Sequence, residues 1–299
     1  MDADDTKPAS FGELGRYFIP LAVQSASQGL TYPLVAMVAS RGDGGPLNLA
    51  GLAQSNTVMF LLGTLGFGLI TTGMVFGNTR EGFARFRTVA LMIGLMVVVI
   101  QSLLCLPPAA HLLFERIIGL PPSIAAPARV TLLYSIPLQY LFFLRIPFQV
   151  GMYNARAAGR AIVPTVLRIL VTALLSPLFC LAGLVGPIWA IVCLSLPVTL
   201  EVAVSFVLAV PYLTILKPCV SAPPSKKELF VFNLPLSVGG YLLAFSAMLL
   251  GAYIARAAAP ERMLPVYYLA LGLATPVAYG ATRVQEVVLA FPEDKSPGR

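Results

Sequence analysis

Charged residues are scarce in this sequence of 299 residues, where they make up only 11% of the chain. Soluble domains carry about 25% charged residues, and a water-exposed surface cannot be built from so few. Hydrophobic residues account for 58%, and the mean hydropathy is +0.84. The shortage of charge excludes an ordinary soluble protein and indicates an integral membrane protein.

Residues that usually carry catalysis are also few. The only histidine, His111, lies in a proline-rich connection between apolar runs. The sequence has no nucleophile elbow, glycine-rich phosphate loop or paired-carboxylate spacing, and its four cysteines have no CxxC spacing. We therefore expect no enzyme active site, no metal site and no cofactor.

The N-terminal residues MDADDTKPAS are acidic and polar, unlike the basic start of a signal peptide. We expect the first apolar run itself to insert the chain. The net charge of +7 would suggest nucleic acid as a partner of a soluble protein. Here the basic residues fall at the ends of apolar runs, where anionic headgroups lie, so we expect membrane lipids and no nucleic acid as partners.

Long apolar runs fill most of the chain. A helix needs about 20 residues to cross the roughly 30 Å hydrocarbon core, and the runs lack the period-two alternation of transmembrane strands. The expected fold is all-α, a polytopic transmembrane helix bundle of about eight spans. The eight runs cover approximately 17–40, 50–76, 88–106, 128–150, 162–181, 187–213, 228–255 and 263–284.

Glycines and prolines inside the runs should modify the helices. The segment GTLGFGLITTG at 63–73 permits close helix contact. Prolines such as Pro137 should break backbone hydrogen bonds and kink their helices.

Basic residues are distributed unevenly between the two ends of the spans. With the N-terminus in the cytoplasm, 13 of the 20 Lys and Arg residues lie in inside segments, and Arg145 and Arg168 lie within spans. Cytoplasmic loops are enriched in Lys and Arg. We therefore expect a multi-pass protein of the cell membrane, plasma or bacterial inner, with both termini in the cytoplasm. The five outside residues are Arg41, Arg116, Arg129, Arg256 and Arg262.

A weak internal repeat divides the chain. A shift of 215 residues lays IPLAV at 19–23 over LPLSV at 234–238, and five of the 23 pairs from 19 to 41 are identical. Two membrane helices that merely share composition would also give such a match. If the repeat is genuine, residues 1–216 form a six-helix lobe and 217–299 hold the first two helices of a second lobe. A second chain could supply the four missing helices.

Four stretches carry a resemblance to a known superfamily: YFIPLAVQ at 17–24, GMVFGNTREGFARFRTVAL at 73–91, RVTLLYSIPLQ at 129–139 and TPVAYGATRVQEVVLAFPEDKSP at 275–297. They resemble the multidrug/oligosaccharidyl-lipid/polysaccharide (MOP) exporters, which include the multidrug and toxic-compound extrusion (MATE) transporters. Within that superfamily the sequence is most similar to the progressive ankylosis family of pyrophosphate and anion exporters. The resemblance implies a MATE-like transporter, although Arg145 and Arg168 inside spans depart from the family.

Ionisable residues inside spans are the main candidates for function, because each is costly in hydrocarbon unless it faces a cavity or a partner. Arg145 and Gln149 share one face of the fourth span at i, i+4. A guanidinium beside an amide suits an oxyanion substrate, although Arg145 could instead be paired structurally. Arg168 in the fifth span is a second candidate, although its long side chain could reach the headgroups.

Three acidic or basic residues could support transport in other ways. Glu201 in the sixth span could neutralise Arg145 or Arg168, or could take up and release a coupling proton. Arg283 and Glu286, three residues apart, can pair locally, and their match to the family's last motif suggests a gating role.

Amides in the first two spans are further candidates for substrate binding. Gln24 and Gln28 share one face of the first span, and Asn56 lies at the start of the second. Such amides equally serve to bridge helices in membrane bundles.

The leading hypothesis is therefore a secondary transporter, an antiporter-like exporter of pyrophosphate- or citrate-like anions that works by alternating access. Two alternatives stay open. One is a flippase for a lipid-linked oligosaccharide or polysaccharide, and the other is a truncated membrane protein that does not transport.

Overall fold

The computed structural model describes residues 11–219, 222–281 and 283–291, without the side chains of 26–30, 273 and 275–281. Every regular element within these residues is helical. The predicted all-α fold is confirmed.

Twelve α-helices follow one another along this part of the chain. A 3₁₀ turn, Thr64–Gly66, separates α2 from α3, and a π-helical turn, Leu112–Ile118, follows α5. The helices are α1 (Phe11–Ser40), α2 (Pro46–Gly63), α3 (Leu69–Phe76), α4 (Arg80–Leu104), α5 (Pro107–His111), α6 (Pro122–Tyr134), α7 (Ile136–Asn154), α8 (Ala158–Leu181), α9 (Pro187–Thr214), α10 (Lys226–Ala255), α11 (Pro260–Ala281) and α12 (Val284–Ala290).

Within the described residues, five helical stretches are long and apolar enough to cross a membrane: Pro46–Phe76, Arg80–Leu104, Ala158–Leu181, Pro187–Thr214 and Lys226–Ala255. Helices α6 and α7, which meet at a bend of 47°, make a sixth span if they are counted together. Helices α1 and α11 cover the first and eighth predicted runs, but some of their side chains lie outside the described residues. The protein is thus a multi-pass membrane protein with five or six apolar spans on this criterion, and the full number of eight stays a prediction.

The outer surface of the bundle suits lipid. On α8, large apolar side chains recur every three or four residues and are exposed, with Leu170 and Leu174 each at 63%. Residues at this spacing form one stripe of a helix. Contiguous apolar exposure of this kind is rare on soluble monomers and marks a membrane or protein contact.

The second span is interrupted where the sequence is rich in glycine. Helix α2 ends at Gly63, and α3 begins at Leu69. The Leu65 carbonyl in the intervening turn accepts hydrogen bonds from Asn233 Nδ2 at 2.7 Å and from Ser237 Oγ at 2.9 Å. Side chains of α10 thus satisfy a backbone group in the interruption, as the bilayer interior requires.

The bend in the fourth span follows from a proline. Pro137 has no N–H, so it cannot donate to the carbonyl four residues earlier. Gln101 on α4 stabilises the bend, because its Nε2 donates to Leu132 O at 2.9 Å and to Ser135 Oγ at 3.0 Å. The neighbouring helix therefore bonds the backbone and a side chain next to the bend.

Helices α1 and α2 connect the first six predicted spans to the last two. Helix α1 packs against α8 and α9 and also against α11, while α10 packs against α2 and the 3₁₀ turn. The division into lobes at residues 216 and 217 is not tested by these contacts and stays a prediction.

Candidate functional site

Three ionisable side chains from three helices meet in the bundle interior. Arg145 on α7 donates from Nη1 to both carboxylate oxygens of Glu201 on α9, at 3.0 Å each. Arg168 on α8 donates from Nη1 to Glu201 Oε2 at 2.9 Å. Glu201 is fully buried, and Arg145 and Arg168 are 8% and 2% exposed. One carboxylate therefore pairs with both arginines, and Arg168 lies in the interior rather than extending to the headgroups.

A chain of neutral polar groups leads away from this carboxylate. Thr165 Oγ1 donates to Glu201 Oε1 at 2.8 Å, and Gln24 Nε2 donates to Thr165 Oγ1 at 3.2 Å. Tyr153 OH in turn donates to Gln24 Oε1 at 2.7 Å, and Tyr17 OH donates to the Tyr153 carbonyl at 3.4 Å. The chain links α9, α8, α1 and α7, so the charged group is held by a connected network and not by a single pair.

The charges in this cluster do not balance. Two guanidinium groups share one carboxylate, which leaves a formal excess of one positive charge among the three side chains. Such an excess is costly in a buried site unless an anion or further hydrogen bonds compensate it. The cluster consequently favours a negative ligand over a positive one.

The Arg168 guanidinium uses only part of its bonding capacity within the described residues. Among the described residues, its Nε and Nη2 have no hydrogen-bond partner, although the residue is only 2% exposed. In a guanidinium group the Nε–H and one terminal N–H point the same way and form a fork that matches two oxygens of a carboxylate or phosphate. Because Glu201 takes Nη1, this fork is the part of Arg168 that a ligand could use.

The remaining residues predicted to bind substrate are only partly gathered at this site. Gln149 is buried on α7, one turn from Arg145, and Gln24 joins the cluster as a bridge between helices. The Gln28 side chain lies outside the described residues. Asn56 is half-buried on α2 and is not among the residues that bond this cluster.

Arg283 and Glu286, which are predicted to gate, lie near the C-terminal end of the described residues. Arg283 Nη1 donates to Glu286 Oε1 at 2.8 Å at the start of α12. The neighbouring Gln285 donates from Nε2 to Thr71 Oγ1 on α3 at 3.2 Å. These contacts hold α12 against the second span, but a gating role stays a prediction.

Sequence reasoning missed Thr165 and Tyr153, although helical spacing points to both. Thr165 is three residues before Arg168, and Tyr153 is eight residues after Arg145, so each lies near the same helix face as its arginine. Both residues carry uncharged hydroxyl groups, whereas the candidates taken from the sequence are charged residues and amides. A search for polar residues three, four or eight positions from each arginine would have found them.

The described residues offer no metal chemistry. They contain no group of three or more His, Cys, Asp or Glu side chains able to hold a metal ion, and the four cysteines are free thiols. Guanidinium donors backed by a carboxylate are the chemistry that this interior provides.

No model of a known protein family matches the sequence, and curated proteins give no match. Solved structures do match. The MATE multidrug transporter DinF-BH, solved as a complex, superposes with a TM-score of 0.74 at 17% identity over 95% of this chain. An inward-facing MATE-family multidrug resistance transporter of the MOP superfamily gives 0.63 at 17% identity over 91%. A MOP transporter from Pyrococcus furiosus Vc1, described by the reverse polarity of its binding pocket, gives 0.58 at 20% identity over 93%.

These likenesses show the fold. The chain has the fold of MATE transporters of the MOP superfamily, and the matching structures are transporters rather than enzymes. It covers 65%, 68% and 67% of the three matching chains, which is about two thirds of their length. They give no support to the narrower resemblance to the progressive ankylosis family.

Proposed function

We propose that this protein is a secondary transporter that exports small anionic metabolites, pyrophosphate- or citrate-like, by alternating access. The observation that carries the proposal is the buried fork of Arg168, which has no hydrogen-bond partner among the described residues and lies in a cluster with more positive than negative charge. On this proposal both termini are cytoplasmic, in the plasma or bacterial inner membrane.

Glu201 prepares the site for an anion. It bonds Nη1 of both arginines, which fixes the two guanidinium planes before any substrate arrives. An anion at the Arg168 fork would supply the missing hydrogen bonds and offset the excess charge. Preorganised donors bind at a lower entropic cost than flexible ones, so a fixed fork can recognise an oxyanion selectively.

The rest of the transport cycle requires a second lobe. Helices α10 and α11 would be its first two helices, and this chain spans about two thirds of the length of the matching transporters. In this scheme Arg283 and Glu286 gate the side of the membrane where α1 begins, because α12 packs against α1 and α3.

Uptake into liposomes tests the proposal. Purified protein should move radiolabelled pyrophosphate or citrate, and both Arg168→Gln and Arg145→Ala should abolish the flux. The matched control is Arg87→Gln, which removes an exposed guanidinium at the start of α4 and should leave the flux unchanged.

The liposome measurement also separates the anion exporter from the two alternatives. If folded wild-type protein moves neither anion, the proposed function is wrong. A lipid-linked saccharide that copurifies with such inactive protein would then favour the flippase hypothesis, and the absence of both would favour a protein that does not transport.

A further inference from the structure

One face of α9 forms an exposed stripe on the side away from the buried cluster. Thr199, Ala203, Phe206, Val210 and Thr214 follow one another at intervals of four, three, four and four residues, and all five are exposed. This spacing places them in a single row along the helix. The row runs from the middle of α9 to its C-terminal end.

Two grooves lie along this row. The first, about 330 Å³, is lined by three residues of α7 (Leu141, Leu144, Phe148) and by α9 residues from Thr199 to Phe206. The second, about 410 Å³, is lined by Phe206, Val210, Leu213, Thr214 and Arg80. Both include Phe206, so they adjoin along the row, and we call the two together the α7–α9 groove.

The inner part of this groove presents no unsatisfied hydrogen-bond donor from its threonine hydroxyls. Its side chains are hydrocarbon apart from Thr199, whose Oγ1 donates to the Ser195 carbonyl of its own helix at 2.9 Å. Further along, Thr214 Oγ1 donates to the Val210 carbonyl at 3.1 Å. Neither hydroxyl needs an external partner, so a hydrocarbon chain can lie there without leaving a donor unsatisfied.

The outer end of the groove is basic. Arg80 is exposed at the first position of α4, and its backbone N–H donates to the Lys217 carbonyl at 2.9 Å, which brings a second exposed basic residue to the same place. The nearby Glu81 carboxylate accepts from the Cys219 N–H at 2.7 Å. The mouth thus holds two basic side chains and one acidic side chain, and the groove joins a hydrocarbon surface to a mouth with a net positive charge.

The length of the groove matches one leaflet of a bilayer. From Thr199 to Thr214, fifteen helical steps of 1.5 Å span about 22 Å. Half of a roughly 30 Å hydrocarbon core, with its share of the headgroup region, comes to about 20 to 22 Å. A lipid in the leaflet where α1 begins would thus place its headgroup at the mouth.

The helices expected to belong to the second lobe do not cover this groove. Within the described residues, α10 and α11 make their main contacts with α1, α2, α3, α4 and the short turns, and not with α7 or α9. Among the described residues, therefore, neither α10 nor α11 closes the groove.

We propose that the α7–α9 groove binds one anionic phospholipid, with an acyl chain along Leu144, Phe148 and Phe206 and its phosphate at Arg80 and Lys217. The apolar channel accepts the chain, and the two basic residues select the charge of the headgroup. This site is separate from the Arg145–Glu201–Arg168 cluster, and it stands whether or not the protein carries anions.

Native mass spectrometry with added lipid tests the proposal. Phosphatidylglycerol should remain bound at one molecule per chain under conditions that strip phosphatidylcholine with the same acyl chains. Replacing both basic residues, Arg80→Gln with Lys217→Gln, should lower phosphatidylglycerol occupancy by about tenfold, since each basic residue near a membrane surface attracts anionic lipid. Arg87→Gln, which removes an exposed charge from the same helix, should have no effect.

A second pair of variants tests the channel. Ala203→Trp fills the groove and should displace the lipid, whereas Leu170→Trp, at an exposed position on α8, should not. If Ala203→Trp does not fold, Val210→Trp fills the same row further along. Equal retention of the two lipids by the wild type, or equal occupancy in Ala203→Trp and Leu170→Trp, would overturn the proposal.

Discussion

Two buried regions of this protein are held together in different ways. In the interior of the first six predicted spans, Arg145, Arg168 and Glu201 form charged bonds between α7, α8 and α9. Where α10 meets the second span, the polar bonds are neutral, from Asn233 and Ser237 to the Leu65 carbonyl.

The close packing of α10 against the second span depends on glycine, which has no Cβ. A Cβ added to Gly68 would lie 2.4 Å from Leu236 Cβ on α10. At the far end of the same helix, Arg256 donates to the carbonyls of Ile117 and Ile118 at 2.7 Å each. If α10 moves away, water can fill the glycine contact and can bond the freed carbonyls. No charged group is then left unpaired in the interior.

The two kinds of bonding indicate which helices can move apart. Separating the charged side chains would leave an unpaired ion in a low-dielectric interior, at a cost of several kcal/mol. Breaking a neutral hydrogen bond costs far less. The comparison thus predicts that α7, α8 and α9 stay together during transport, while α10 separates from the second span.

The largest effect should follow from Glu201→Gln. This change leaves two buried guanidinium groups without a counter-charge, so we expect a loss of roughly 3–5 kcal/mol in the free energy of unfolding, seen as a much lower melting temperature in detergent. Asp43→Asn, at an exposed loop position, is the control. Adding Arg145→Gln to Glu201→Gln should restore part of the loss, and a single variant as stable as the wild type would contradict a charge-based core.

A smaller effect is expected at the glycine contact. Gly68→Ala should force the second span and α10 apart and cost about 1–3 kcal/mol, as overpacking does. Gly15→Ala on α1, where nothing lies within 4 Å of the added atom, should instead stabilise its helix by about 0.5–1 kcal/mol. Thermal unfolding of both variants measures the contrast, and equal melting temperatures would argue against a tight contact here.

Single hydrogen bonds across the same contact should matter less still. Ser237→Ala removes one of the two bonds to Leu65 O and should cost about 0.5–1.5 kcal/mol. Ser246→Ala is the matched control, because its exposed hydroxyl bonds only to Leu243 O of its own helix. If both serine variants unfold at the same temperature, the bond to Leu65 contributes nothing to holding α10.

The last prediction concerns the Arg283–Glu286 pair. Glu286 is largely buried, with a side chain 8% exposed against 17% for Arg283, so Arg283→Gln removes its counter-charge. Because the amide can still donate to the carboxylate, the expected loss of stability is about 1 kcal/mol. If the pair gates, the same variant should change the rate of flux in liposomes. A flux identical to that of the wild type would remove the gating role.

The sequence predicts the helices well because the need to satisfy every backbone group in lipid leaves few alternatives. It also brings Arg145, Arg168 and Glu201 forward as candidates, since ionisable residues are so rare inside the spans. It could not assign their partners. Which helix faces meet depends on packing, and packing decides that Glu201 takes both arginines.

The local sequence predicts two features of the spans only in part. Pro137 predicts a kink, but neither the 47° angle nor the supporting role of Gln101 follows from the local sequence. The glycines at 63–73 predict close packing, and the same residues also interrupt the helix and free the Leu65 carbonyl for α10. Membrane helices tolerate proline and glycine in several geometries, so only the tertiary contacts choose among them.

The proposed transport depends most on the binding of an anion at the Arg168 fork. Arg168→Lys separates this claim from mere charge balance, because lysine keeps a positive charge for Glu201 but lacks the planar fork. Binding of radiolabelled pyrophosphate and of citrate to both purified proteins is the measurement. We expect binding by the wild type and none by a folded Arg168→Lys variant. Equal binding by the two proteins, or no binding of either anion by the wild type, would contradict the account.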